Sequence, residues 1–174
     1  SVMGELADIL ALETIEVNLF LGRTPPEERQ RIFGGQVVAQ ALIAAYKTVD
    51  ARVCHSLQSY FIRPGDPALP VLYQVERSRD GKSFATRRVI AIQKGEQIFN
   101  MACSFQEPEA GVDHQDSMPE APAAESLPDD FDRLTTLLKD VPEKHKTWLR
   151  RRAIEMRPID PVNLLDPKPA APAQ

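Results

Sequence analysis

The strongest chemical potential in this chain lies in Arg31-Ile-Phe-Gly-Gly-Gln-Val-Val-Ala-Gln-Ala-Leu-Ile-Ala-Ala-Tyr46. Gly34 and Gly35 lead into an alanine-rich helical pattern, with Gln36 as its first polar side chain. The first N–H groups of a helix lack intrahelical partners and sit at the positive end of its dipole. Such a start can hold an anion or a developing oxyanion. The plainer alternative is a tight strand-to-helix entry, and the missing third glycine argues against a dinucleotide fingerprint. His55 is a candidate general base or ligand, or simply a strand histidine bonded to a neighbouring backbone group. Asp66 and Asp80 stand beside glycines in Pro-Gly-Asp-Pro and Asp-Gly, where turn roles suffice for both. Lys144, Lys146, Arg150, Arg151 and Arg152 can bind phosphates or form a solvated helix face. There is no nucleophile elbow, Walker loop or His/Cys spacing for a metal. Cys54 and Cys103 read as buried free thiols in a reducing cytoplasm.

The elements that must position these residues follow from periodicity. A helical pattern over Gly4–Leu12 precedes an alternating strand over Thr14–Leu21. Pro25-Pro26 and a run of charges make a loop. The helix over Gln36–Lys47 puts Val37, Val38, Ala41, Leu42 and Ala45 on one broad face and keeps the opposite side small. Four strand patterns follow: Val53–Ile62, Val71–Arg79, Ser83–Gln93 and Gln97–Phe105. Asp80-Gly81 is a hairpin signal between the second and third. The last strand places Phe99, Met101, Cys103 and Phe105 on the face toward the helix. Arg87 and Arg88 are adjacent in a strand, so they face opposite ways and at least one is solvated. The result is an α+β domain with one buried helix and one antiparallel sheet.

Beyond Gln106 the character changes. Glu107–Pro128 holds four prolines and no apolar period, so it reads as an extended crossing. Helices are predicted over Pro128–Lys139 and Glu143–Arg151, and a final strand over Ala153–Arg157. Prolines 158, 161, 167, 169 and 172 then mark a linker, and a chain ending in a linker reads as the first part of something longer. The net charge of −4 is uneven, with eleven acids against two bases between Glu107 and Glu143. The remainder is mildly basic, which suits a phosphate-bearing ligand. No basic stripe is interleaved with aromatics, which argues against nucleic acid, and no apolar run is long enough for a membrane helix.

Leu12-Glu-Thr-Ile-Glu16, the Arg31–Leu42 stretch and His55-Ser-Leu-Gln-Ser-Tyr-Phe-Ile-Arg-Pro-Gly-Asp66 together resemble the acyl-CoA thioesterase II family, the double-hotdog thioesterases. Arg79-Asp-Gly-Lys-Ser-Phe-Ala-Thr-Arg-Arg-Val89, Ile98–Phe105 and Arg157-Pro158 extend the resemblance, which runs from about Leu6 to the tail. It implies a hotdog fold, a long helix wrapped by an antiparallel sheet. Residues 1–106 would form the N-terminal hotdog. Residues 107–157 would be an acidic, proline-containing crossing with short helices and a final strand, and 158–174 an interdomain linker.

The family hydrolyses fatty acyl-CoA to fatty acid and CoA, with no cofactor and no metal. It uses an Asp, a Thr or Ser, and a Gln to activate water, and these belong to the second hotdog. Nothing in this chain matches them. His55 is therefore the one weak catalytic candidate, and Gln58 stands where family members often carry a second histidine. Gly34, Gly35, Gln36, Gln58, Arg63, Arg79 and Ser83 are the candidate substrate or CoA contacts by motif location. The implied partners are an acyl-CoA, a C-terminal hotdog half and further copies of the chain in a homo-oligomer. The isolated chain is expected to be largely inactive. The alternative is a non-catalytic acyl/CoA-binding or dimerisation module. A hotdog hydratase is disfavoured because the helix lacks both Asp and His.

Overall fold

The computed structural model describes residues 2–25, 31–151 and 153–167. Its first two residues aside, the chain forms two units, Met3–Val112 and Asp113–Gln174.

The first unit begins with α1 (Val2–Leu10), followed by β1 (Glu13–Glu16) and β2 (Leu19–Gly22). The single strand predicted over Thr14–Leu21 is instead this hairpin. Asn18 turns the chain at φ 63°, a left-handed conformation that asparagine tolerates. The alternation misled because it continues through both short strands. Of the following loop, residues 26–30 lie outside the described residues. Helix α2 (Gly34–Tyr46) buries Gln36, Val37, Gln40, Ala41, Ala44 and Ala45. Its alanines keep the helix slim, so the sheet can approach on several sides. Val38 and Leu42, expected on the core face, are half-buried at its margin.

Four strands follow: β3 (Val53–Phe61), β4 (Val71–Asp80), β5 (Phe84–Gln93) and β6 (Glu96–Gln106). They join the hairpin in one six-stranded sheet of order β1-β2-β4-β5-β6-β3, antiparallel throughout. The inward face carries Tyr73, Val75, Val89 and Ala91, with Phe99, Met101, Cys103 and Phe105 as predicted, all buried. Each large apolar side chain sealed here contributes about 1.5–3 kcal/mol. The sheet closes on α2 through β2, β4, β5 and β6. Strand β3 forms the far edge, where Val53, Leu57, Tyr60 and Phe61 are exposed.

Gln40 and Arg87 are the most deeply buried polar side chains of this unit among the described residues. Gln40 is sealed on α2, and Arg87 is 1% exposed on β5 while Arg88 beside it is solvated. The Arg87 guanidinium donates to Thr48 Oγ1 (2.8 Å), to the carbonyls of Thr48, Arg79 and Thr86, and to Asp80 Oδ1 (2.6 Å). It therefore straps the end of α2 to the β4–β5 hairpin.

In the second unit, the predicted helix is observed as α3 (Asp130–Leu137), capped by Asp129, whose carboxylate accepts from Phe131 N and Asp132 N. The predicted helix over Glu143–Arg151 contracts to a 3-10 turn, Glu143–His145, with Pro142 before it. Ala153–Arg157 is not a strand among the described residues. Its alternation is real, but a strand needs a paired neighbour, and Met156 offers one carbonyl, to Asp130 N at 2.8 Å. Residues 158–167 carry no helix or strand, and 168–174 of the predicted linker lie outside the described residues.

Candidate functional site

The start of α2 opens onto a cleft of about 320 Å³. Its walls come from three places: the helix start, the end of β3 with the loop after it, and β6. Val37, Phe61, Ile98 and Phe99 give it an apolar lining, and Arg31 and Arg63 add two guanidiniums. Phe61 tilts against Phe99 with ring centroids 5.2 Å apart. A Cβ on Gly34 would come within 3.0 Å of the Phe61 ring, so this glycine admits the aromatic wall. Gly65 serves the same purpose for Ile32, whose N–H donates to the Gly65 carbonyl at 2.9 Å. The N–H groups of Ile62 and Arg63 both donate to the Ile98 carbonyl, which pins the loop after β3 to β6. Arg63 Nη1 donates to the Gln97 carbonyl at 2.8 Å, and Nη2 lies 3.8 Å from Glu96 Oε1 in an exposed pair.

Of the residues predicted from sequence, only Gly34 and Arg63 share this cleft. Gly35 is next along α2. Gln36 is buried, and its Nε2 donates to Thr24 Oγ1 at 3.0 Å. His55 and Gln58 sit on the exposed part of β3. His55 Nε2 pairs with Ser104 Oγ at 2.8 Å, and Gln58 Nε2 donates to the Tyr60 hydroxyl at 2.9 Å. Arg79 and Ser83 flank the β4–β5 turn, with Ser83 accepting from Glu107 N through its carbonyl. The seven contacts and His55 thus fall in separate regions. Sequence reasoning missed Arg31 and Phe61, although both stand inside the quoted motifs. Their signal was position: each closely precedes a glycine or proline turn that brings its side chain to the helix start.

Asp66 and Asp80 take the turn roles. Asp66 Oδ1 accepts from Ala68 N at 3.0 Å. Asp80 is held below the usual carboxylate range, first by its hydrogen bond from Arg87; desolvation is the next largest effect and opposes this, and the charges of Arg87, Arg77 and Arg52 lower it further. In the second unit Lys146 pairs with Glu143, and Arg151 pairs with Asp132 and lies over the Phe131 ring. Arg152 lies outside the described residues. Among the described residues, no cluster of His, Cys, Asp and Glu can hold a metal ion, and no helix is long and apolar enough to cross a membrane.

Residues 21–106 match the family model described as the acyl-CoA thioesterase N-terminal domain. The chain is 44% identical over 165 residues to acyl-coenzyme A thioesterase 8 of Homo sapiens, covering 90% of this chain and 52% of the relative. It is 37% identical over 158 residues to acyl-CoA thioesterase 2 of Haemophilus influenzae, covering 90% and 55%. Over residues 21–106 the chain belongs to the acyl-CoA thioesterase family. Among solved structures, the acyl-CoA thioesterase II TesB2 of Mycobacterium marinum is 49% identical with a TM-score of 0.61, over 67% of this chain and 44% of that one. The TT0310 protein of Thermus thermophilus, 17% identical with a TM-score of 0.52, shares the fold over 97% of its own length. The helix-in-sheet architecture is thus the hotdog fold of this thioesterase family, and the chain spans about half the length of the curated relatives it matches.

Proposed function

We propose that this chain is the N-terminal hotdog half of an acyl-CoA thioesterase, which hydrolyses fatty acyl-CoA to free fatty acid and CoA. In this role it supplies pocket wall and an assembly surface rather than the reacting groups. One observation carries the division of labour: among the described residues, the cleft at the α2 start is lined by two arginines, apolar residues and glycines, with no side chain able to accept a proton. A water attacking a thioester needs such an acceptor, which the family resemblance assigns to the second hotdog.

Strand β3 supports the choice of partner. It is a long edge strand with exposed apolar side chains, and such an edge is usually paired or covered. The C-terminal hotdog half, or another copy of this chain, is the occupant proposed for it. Two free cysteines suit a reducing compartment such as the cytoplasm. Turnover of dodecanoyl-CoA by the intact gene product tests the enzymatic reading. Measurable release of CoA is expected, and an inactive intact product with intact fold would instead favour a non-catalytic CoA-binding module.

A further inference from the structure

Gln93 is the last residue of β5, and its side chain is buried. A buried amide is costly unless its donor and acceptor are both satisfied. Gln93 satisfies both on one loop. Its Oε1 accepts from Asp66 N at 2.8 Å, and its Nε2 donates to the carbonyls of Asp66 (2.9 Å), Leu69 (3.1 Å) and Pro70 (3.4 Å). Residues 66–70 carry neither helix nor strand, so this amide takes the place of strand partners for their backbone groups. The nearby Lys94–Asp66 pair is exposed at 3.6 Å and contributes little beside it.

The same loop reaches the cleft. Pro64 and Gly65 line it, and the Gly65 carbonyl accepts from Ile32 N at 2.9 Å. Ile32 stands just before α2, which starts at Gly34. A connected path thus runs from the Gln93 amide through Asp66 and Gly65 to the helix start.

From this path we infer that Gln93 is a positioning residue for the thioesterase reaction. It fixes the loop after β3, and through Gly65 the start of α2, without touching the substrate. The kinetic consequence rests on the enzymatic reading; the mechanical one does not. A wall held in place favours the bound ground state and transition state alike, so its loss raises KM and spares kcat.

The test uses the intact gene product. Gln93→Leu is expected to raise KM for dodecanoyl-CoA about tenfold, with kcat within about twofold of wild type. Hydrogen exchange at the Ile32 amide is expected to quicken at least about fivefold, since its acceptor loop is released. Arg87→Lys loosens the other end of α2 and is expected to lower the urea midpoint with KM unchanged, which separates positioning from a general loss of stability. If Gln93→Leu fails to fold, Gln93→Asn carries the same test, being one methylene too short to span these groups. Unchanged exchange at Ile32, wild-type KM in the folded Gln93 variant, or an equal rise of KM in Arg87→Lys would overturn the inference. An intact wild type without turnover would sink the enzymatic reading, and exchange at Ile32 would then decide alone whether Gln93 holds the helix start.

Discussion

Tyr73 donates its hydroxyl hydrogen to Gln40 Oε1 at 2.7 Å, with both side chains sealed from solvent. The amide nitrogen of Gln40 then donates to the carbonyls of Ile9 (2.8 Å) and Arg23 (3.1 Å). One glutamine thereby ties the central helix to β4, to α1 and to the chain leaving β2. A fully satisfied buried network stabilises, whereas half of one leaves orphaned polar groups. Tyr73→Phe is expected to cost about 1–3 kcal/mol, because Gln40 Oε1 would lose its donor. Gln40→Leu should cost more, as it strands two carbonyls and a phenol. Gly22→Ala should also destabilise, since the new methyl would press on the Gln40 amide and come within 2.9 Å of the Tyr73 ring. Urea unfolding of the three variants checks this, and wild-type midpoints would refute it.

Arg87 is the second buried tie. Replacing it by Leu would leave the carbonyls of Thr48, Arg79 and Thr86 without its donors, a loss of about 3 kcal/mol or more. The matching acid gives a pH signature. The folded Asp80 carboxyl sits below its ordinary value of 3.8, chiefly through the Arg87 hydrogen bond. Its contribution is therefore present above the unfolded pKa and disappears as pH falls through the folded one. The stability gap between wild type and Asp80→Asn should shrink as pH drops below about 4. Parallel curves down to the acid transition would show that the pair contributes nothing.

The two thiols should differ in reactivity. Burial, reinforced by the neighbouring Cys54, pushes the Cys103 thiol up to about 12, with Arg87 acting weakly in the other direction. At pH 8 it is almost wholly protonated, and the thiolate is the reactive form. A disulfide reagent should therefore modify one thiol at most in the native protein and two after unfolding in urea. Rapid modification of both native thiols would contradict the sealed position of Cys103.

Much of this architecture was legible in the residues because apolar spacing states which faces must be buried. The alternation Phe99, Met101, Cys103, Phe105 and the alanine-rich α2 pattern each lead to the observed core. The pattern failed where one residue's backbone overrides alternation, as at Asn18, or where the described residues offer no partner strand, as at Ala153–Arg157. The site was less legible for a different reason. Motif order does not say which side chains converge, so Arg63 and Gly34 meet in one cleft while His55 turns to Ser104 and Arg79 stands by a distant hairpin. Phe61 could be placed only once the bare Cα of Gly34 was seen facing its ring.

Strand β3 should govern self-association. Val53 and Leu57 are 54% and 41% exposed on an edge strand with free pairing capacity on one side. The 174-residue chain is expected to associate at micromolar concentration, and the double variant Val53→Lys, Leu57→Lys to shift it toward monomer. Light scattering decides. A monomeric wild type would remove this surface from the account.

The central claim is that this half lacks the group that activates water. It is tested most directly by CoA release from dodecanoyl-CoA, measured for this chain alone, for the C-terminal half alone, and for the intact protein. The chain alone should match the buffer rate, while the intact protein should exceed it by about 10⁶-fold or more, as enzymes ordinarily do. Hydrolysis by the isolated 174 residues at a rate near that of the intact protein would contradict the claim and place the reacting groups on this half.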